Sequence, residues 1–162
     1  MIFSVIIIIL VVALDQATKY LVLANIAEID TLPIIKDVLH LTYVENRGAA
    51  FGMLADKRAV FMVISVVGIV AIFVWLVVSK PKSIWMRLGL PFIIGGGIGN
   101  MIDRIARGYV VDMIDCRFIN FYVFNVADSF VCIGCGMVII ALIIEIVNEQ
   151  KLKKTTGDKT DE

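Results

Sequence analysis

Asp112 and Asp128 stand at the edges of apolar, membrane-grade stretches in a chain that is 60% hydrophobic. A carboxylate in or beside hydrocarbon is costly, and such residues tend to be functional. Two close carboxylates cannot both ionise easily, because like charge and desolvation raise one pKa. They then share a proton, one acting as base toward a water and the other as acid. Such a pair hydrolyses amides without a metal or a covalent intermediate. A plainer reading stands beside this one. Each carboxylate pairs separately with Arg104, Arg107 or Arg117, or caps a helix, a role that suits Asp128. Asp115, three residues from Asp112, competes for the dyad position.

Other polar residues sit in apolar surroundings. Asp15 and Lys19 are spaced i, i+4 and read as an ion pair that holds one helix in register. Asn100 and Arg104 share a helix face, and Asp103 with Arg107 forms a second, structural pair. Gly95-Gly96-Gly97-Ile98-Gly99-Asn100 fails the dinucleotide pattern, since Asn100 replaces the last glycine and no strand precedes it. Gly95 and Gly99 instead form a G-x-x-x-G pair suited to close helix packing. The functional alternative is a substrate chain passing near this backbone. Cys132 and Cys135 have C-x-x-C spacing, but no other thiol or histidine is near in sequence, so they read as packing residues. His40 is the sole histidine and reads as a loop residue. No metal site and no cofactor are expected.

The elements that must position these groups are membrane spans. Of 162 residues, 15 are basic and 15 acidic, and mean hydropathy is +0.94. That balance gives no reason to expect nucleic acid binding. Residues 60–78 carry no charge, and about 20 apolar residues cross a bilayer as a helix. Four spans are placed at about 2–23, 59–79, 88–105 and 125–147. The first lacks the basic n-region of a cleaved signal peptide and is expected to be retained. The loops at about 24–58 and 106–124 are long. Residues 38–44, 109–111 and 118–124 are strand-prone, and Asn46-Arg47-Gly48 reads as a turn. The expected fold is an all-α membrane protein with four transmembrane helices and a small extracytoplasmic β-sheet. Residues 1–150 form the membrane domain and 151–162 a polar cytoplasmic tail.

In a chain crossing four times, Asp15 and Lys19, the Asp103–Arg107 end and the Asn125–Asp128 start face one side. Both long loops emerge there too. Basic residues nearly tie, eight on that side against seven opposite. Their density at Lys80, Lys82, Arg87, Lys151, Lys153 and Lys154 places the opposite side in the cytoplasm. The polar site then faces outward.

With these blocks in hand, the chain resembles the lipoprotein signal peptidases, or signal peptidase II. The blocks are Asp15-Gln16-Ala17-Thr18-Lys19, Glu45 to Gly52, Gly99-Asn100-Met101-Ile102-Asp103-Arg104, Val110-Val111-Asp112 and Phe124 to Ser129. Each is weak alone, but five in order are specific. The resemblance implies an aspartic endopeptidase of the bacterial plasma membrane with its site toward the extracytoplasmic face. Its substrates would be diacylglyceryl-modified prolipoproteins, cut before the lipidated cysteine. By similarity Asp112 and Asp128 match the catalytic pair, which sets Asp115 aside. Asn46, Gly48, Asn100, Arg104 and Asn125 match substrate-site positions, and Asp15 and Lys19 supporting ones. Membrane lipids are the other expected partner, and the chain is expected to be monomeric. A proton-coupled transporter is the rival reading, since intramembrane carboxylates also relay protons. Against it, no repeat is evident and the polar residues gather at one leaflet. A membrane scaffold factor, the third reading, needs no paired carboxylates.

Overall fold

The computed structural model describes residues 1–48, 58–119 and 121–157. Four long helices carry the chain: α1 (Ile2–Asn25), α2 (Arg58–Ser79), α3 (Ile84–Ala106) and α4 (Val126–Gly157). Three strands accompany them, β1 (Thr31–Ile35), β2 (Leu39–Asn46) and β3 (Val110–Cys116). Among the described residues α1, α2 and α4 are long and apolar enough to cross a membrane. Their outward faces are lined with exposed Ile, Val and Leu side chains, as lipid contact requires.

Helix α3 differs because it sits at the centre of the bundle, packed against the other three helices. Its surface is small rather than greasy. A Cβ at Gly95 would strike Val11 of α1, one at Gly96 the Ala127 carbonyl of α4, and one at Gly99 the Asp15 carboxylate. Gly89 and Gly134 bring the α3 and α4 backbones together in the same way. These glycines therefore serve close helix packing, and Gly95 and Gly99 face α1 rather than an open channel. Leu76, Met86, Leu90, Ile94 and Ala141 form the buried apolar core around them.

The strands make one antiparallel sheet in the order β1-β2-β3. Leu41 pairs with Ile114 and Val44 with Asp112, so β2 advances three residues while β3 advances two. This bulge kinks β2 beside Asp112, and such bulges re-aim side chains near functional sites. Val22, Ile26, Val111 and Met113 bury the sheet against the end of α1. Helix α3 reaches β3 through Gly108, whose φ of 88° is the left-handed conformation that ends helices and favours glycine.

Several boundaries differ from the sequence expectations. Helix α3 begins at Ile84 rather than 88, leaving a link of only four residues, 80–83, after α2. Lys80 there adopts φ 44° and Pro81 blocks continuation of α2. Helix α4 runs past 147 to Gly157, because the charged residues that follow are good helix formers. Among the described residues of 118–124 there is no strand: Arg117–Ile119 is a 3-10 turn, and Phe124 makes an isolated bridge to Ile114. His40 lies on β2 and is buried, not in a loop. Cys132 and Cys135 are exposed on α4 instead of packed between helices. Positions 49–52, the end of the second sequence block, lie outside the described residues.

Candidate active site

The start of α4 is built around Asn125. Its Oδ1 accepts the Asp128 N–H at 2.9 Å, and Asp128 Oδ2 accepts the Asn125 N–H at 3.2 Å. This is a reciprocal capping box, which satisfies two N–H groups that a helix start leaves orphaned. Capping is thus a real role of Asp128, and it leaves the second oxygen available. Asp128 Oδ1 accepts a 2.8 Å bond from Asn100 Nδ2.

Asp112 approaches from the sheet. Asn46 pairs with Val110 across β2 and β3, so its side chain lies on the face shared by Val110 and Asp112. Asn46 Nδ2 donates to Asp112 Oδ2 at 2.9 Å. The Gly48 N–H donates to Asn46 Oδ1 at 3.1 Å and so orients that amide. The other Asp112 oxygen accepts Asn125 Nδ2 at 2.6 Å. One residue, Asn125, therefore bonds both carboxylates.

Asp112 is 2% exposed. Burial pushes its pKa up to about 6, and the Asp128 charge pushes the same way against the bonds from Asn46 and Asn125. Asp128 is half-buried. Arg104 lies within electrostatic reach of Asp128, Asp112 and Asp103, and its Nη1 donates a long 3.4 Å bond to the Asn100 carbonyl. Among the described residues neither dyad candidate forms an ion pair with an arginine. Arg107 pairs with Asp103 at 2.7 Å and Arg117 with Asp115 at 3.0 Å. Asp115 also accepts from Thr42 of β2 at 2.8 Å. It does not join the cluster.

Behind the two carboxylates lies an ion cluster. Lys19, fully buried, contacts Asp15 Oδ2 at 2.9 Å, Asp103 Oδ2 at 3.0 Å and Asn100 Oδ1 at 2.9 Å. Asp15 and Asp103 also hold backbone. Asp15 Oδ1 accepts the Ala127 N–H at 3.0 Å, and Asp103 Oδ2 the Val111 N–H at 3.0 Å. Each thus anchors the residue next to one dyad candidate. Gln16 Nε2 ties Asp15, Asp103 and the Gly99 carbonyl together. The i, i+4 pairs Asp15–Lys19 and Asp103–Arg107 form as spaced, whereas the Lys19–Asp103 link and Gln16 gave no sign in one sequence. Among the described residues no three His, Cys, Asp or Glu side chains are grouped to hold a metal ion.

The chain as a whole is similar to known proteins. Residues 7–144 match the peptidase family described as signal peptidase (SPase) II. A lipoprotein signal peptidase of Caldanaerobacter subterraneus subsp. tengcongensis is 51% identical over 132 residues, covering 81% of this chain and 89% of that protein. One of Clostridioides difficile (strain 630) is 48% identical over 130 residues, covering 80% and 87%. A bacterial membrane enzyme solved by the in meso method at 2.3 Å superposes with a TM-score of 0.84 at 33% identity, covering 90% of each chain. With a match of that extent in sequence and fold alike, the chain belongs to the signal peptidase II family.

Proposed function

We propose that this protein removes signal peptides from diacylglyceryl-modified prolipoproteins, cutting before the lipidated cysteine, with Asp112 and Asp128 as its catalytic pair. The observation that carries the reading is the double attachment of Asn125, which ties a strand carboxylate and a helix carboxylate into one site. Asp112, deeply buried and with its pKa pushed up, holds the proton. Asp128, half-exposed, takes a proton from the attacking water. Asp112 then gives its proton to the leaving amine, so the pair ends with its single proton relocated. Asn46, Asn100 and Asn125 keep donors aimed at the carboxylates, Gly48 orients the Asn46 amide, and Arg104 is the cation available to the developing oxyanion.

Membrane placement fits this chemistry. All four helices cross the bilayer, α3 shielded by the others, with the sheet and site toward the extracytoplasmic face of a bacterial plasma membrane. A lipidated substrate stays in that membrane, so its peptidase must work at the interface. An apolar groove between α2 and α3, lined by Val66, Ile69, Val70, Ile98, Ile102 and Ile105, is suited to the substrate's hydrocarbon.

The test is cleavage of a diacylglyceryl-modified prolipoprotein by the purified protein. The wild type shortens it, and Asp112→Asn and Asp128→Asn do not. Full cleavage by either variant overturns the dyad.

A further inference from the structure

Lys19 makes three contacts, and only two of them are to carboxylates. The third leaves the ion cluster and ends on Asn100 Oδ1 at 2.9 Å. Asn125 Nδ2 donates to the same oxygen at 3.1 Å. The opposite end of that amide, Asn100 Nδ2, donates to Asp128 Oδ1 at 2.8 Å. An amide carries donors at one end and acceptors at the other. Turning Asn100 over would set its NH2 against an ammonium and another NH2, and its carbonyl against a carboxylate. Three favourable contacts would become three repulsive ones. Lys19 has no acceptor capacity, so it cannot adapt to a turned amide.

We infer that Lys19 is a positioning residue, whose ammonium fixes the polarity of the Asn100 amide and thereby keeps a donor on Asp128. This rests on the peptidase reading and extends it. An ion pair that only held helices together would need Asp15 and Asp103 alone. The contact to Asn100 is what connects that cluster to the reacting groups. The charged groups within electrostatic reach of Asp128 are Arg104 from α3 and Asp112 from β3, and behind Asn100 stand Lys19 and Asp15 from α1 and Asp103 from α3. Of these, Lys19 is the cation bonded to the amide that reaches Asp128 Oδ1. Loss of the donor leaves the Asp128 carboxylate one hydrogen bond short, and bonds of that kind favour the charged form of a carboxylate.

The experiment compares purified wild type, Lys19→Met and Lys19→Gln on a diacylglyceryl-modified prolipoprotein. Rates are taken across pH and normalised to folded protein. Lys19→Met is expected to lower kcat by roughly 100-fold, with KM changed less than about twofold. The acid limb of its kcat profile moves to higher pH. Lys19→Gln, which retains an N–H donor, recovers part of the rate. On an Asn100→Ala background, Lys19→Met adds little, because both act through one contact. An unchanged kcat and acid limb in folded Lys19→Met overturns the inference, as do independent effects of the two positions. Failure of both lysine variants to fold also overturns it, placing Lys19 in the ion cluster alone. Absence of cleavage by the wild type counts instead against the peptidase reading.

Discussion

Asn125 and Asp128 cap one another: each side chain accepts the other's backbone N–H, at 2.9 and 3.2 Å. The helix start and the candidate catalytic carboxylate are therefore one construction. Stability and activity separate only in the remaining bonds of Asn125, to Asp112 and Asn100. Asn125→Ser retains a capping oxygen but cannot reach both. It should stay within about 1 kcal/mol of wild-type stability while losing most cleavage. Asn125→Ala should lose both. Thermal unfolding in detergent beside the cleavage assay checks this, and equal stability loss in the two variants would contradict it.

The raised pKa of Asp112, about 6 against an ordinary 3.8, has a thermodynamic consequence. Between those values the folded state keeps a proton that the unfolded chain releases. Stability from this group is present below about pH 4 and lost as pH rises to about 6. The difference is on the order of 3 kcal/mol. Asp112→Asn should abolish that slope in the unfolding midpoint. For catalysis, a proton on Asp112 predicts a rate that falls as pH climbs above about 6. A flat rate from there upward would exclude Asp112 as the acid.

Asp103 receives Lys19, Arg107, Gln16 and the Val111 N–H. Asp103→Ala leaves a buried ammonium short of a partner and frees the start of β3. Breaking a buried pair costs about 3–5 kcal/mol, so the variant should unfold at markedly lower temperature. A small shift in midpoint would show the cluster to be less tightly coupled than its distances imply.

Asp115 offers the contrast. It lies on the same strand as Asp112 but pairs with Arg117 and Thr42 near the sheet surface. Asp115→Asn should alter cleavage by less than about twofold and stability by less than about 1 kcal/mol. A large loss of kcat would return it to the dyad.

The glycines of α3 and α2 should respond differently to one added methyl group. At Gly96 a Cβ meets the carbonyl of Ala127, the neighbour of Asp128. Gly96→Ala should push α4 away, lowering both stability and turnover. At Gly68 a Cβ meets nothing within 4 Å, and Gly68→Ala should be tolerated. Equal tolerance at both sites would mean the α3–α4 contact can relax.

What could be read from the sequence was local. The i, i+4 pairs and the capping tendency of Asp128 depend on residues within about one turn, and the apolar runs on consecutive residues of one helix. What escaped depends on distant partners. Strand β1 contains Pro33, which argues against a strand, yet β1 is the sheet edge where a missing N–H is tolerated. The β2 bulge, which sets Asp112 against Asn46, has no signature in either strand alone. Gln16 reads as an ordinary polar residue until α1 and α3 meet. Helices α3 and α4 extend beyond their apolar runs, through Arg87 at the start of α3 and Glu149 and Lys151 near the end of α4, because Arg, Lys and Glu continue a helix readily.

Helix α3 gave up aliphatic bulk for glycines that admit three neighbours, and placed Asn100, Asp103 and Arg104 along its last turns. Stripped of those neighbours it would present hydrocarbon with amides, charge and bare backbone, an unfavourable exchange for a lone segment. In the proposed four-span placement its residence in the bilayer is conditional on its companions. The proposed site draws its contacts from α1, α3, α4 and β3 alike, so on this reading the packing that shelters α3 is also the packing that completes the site.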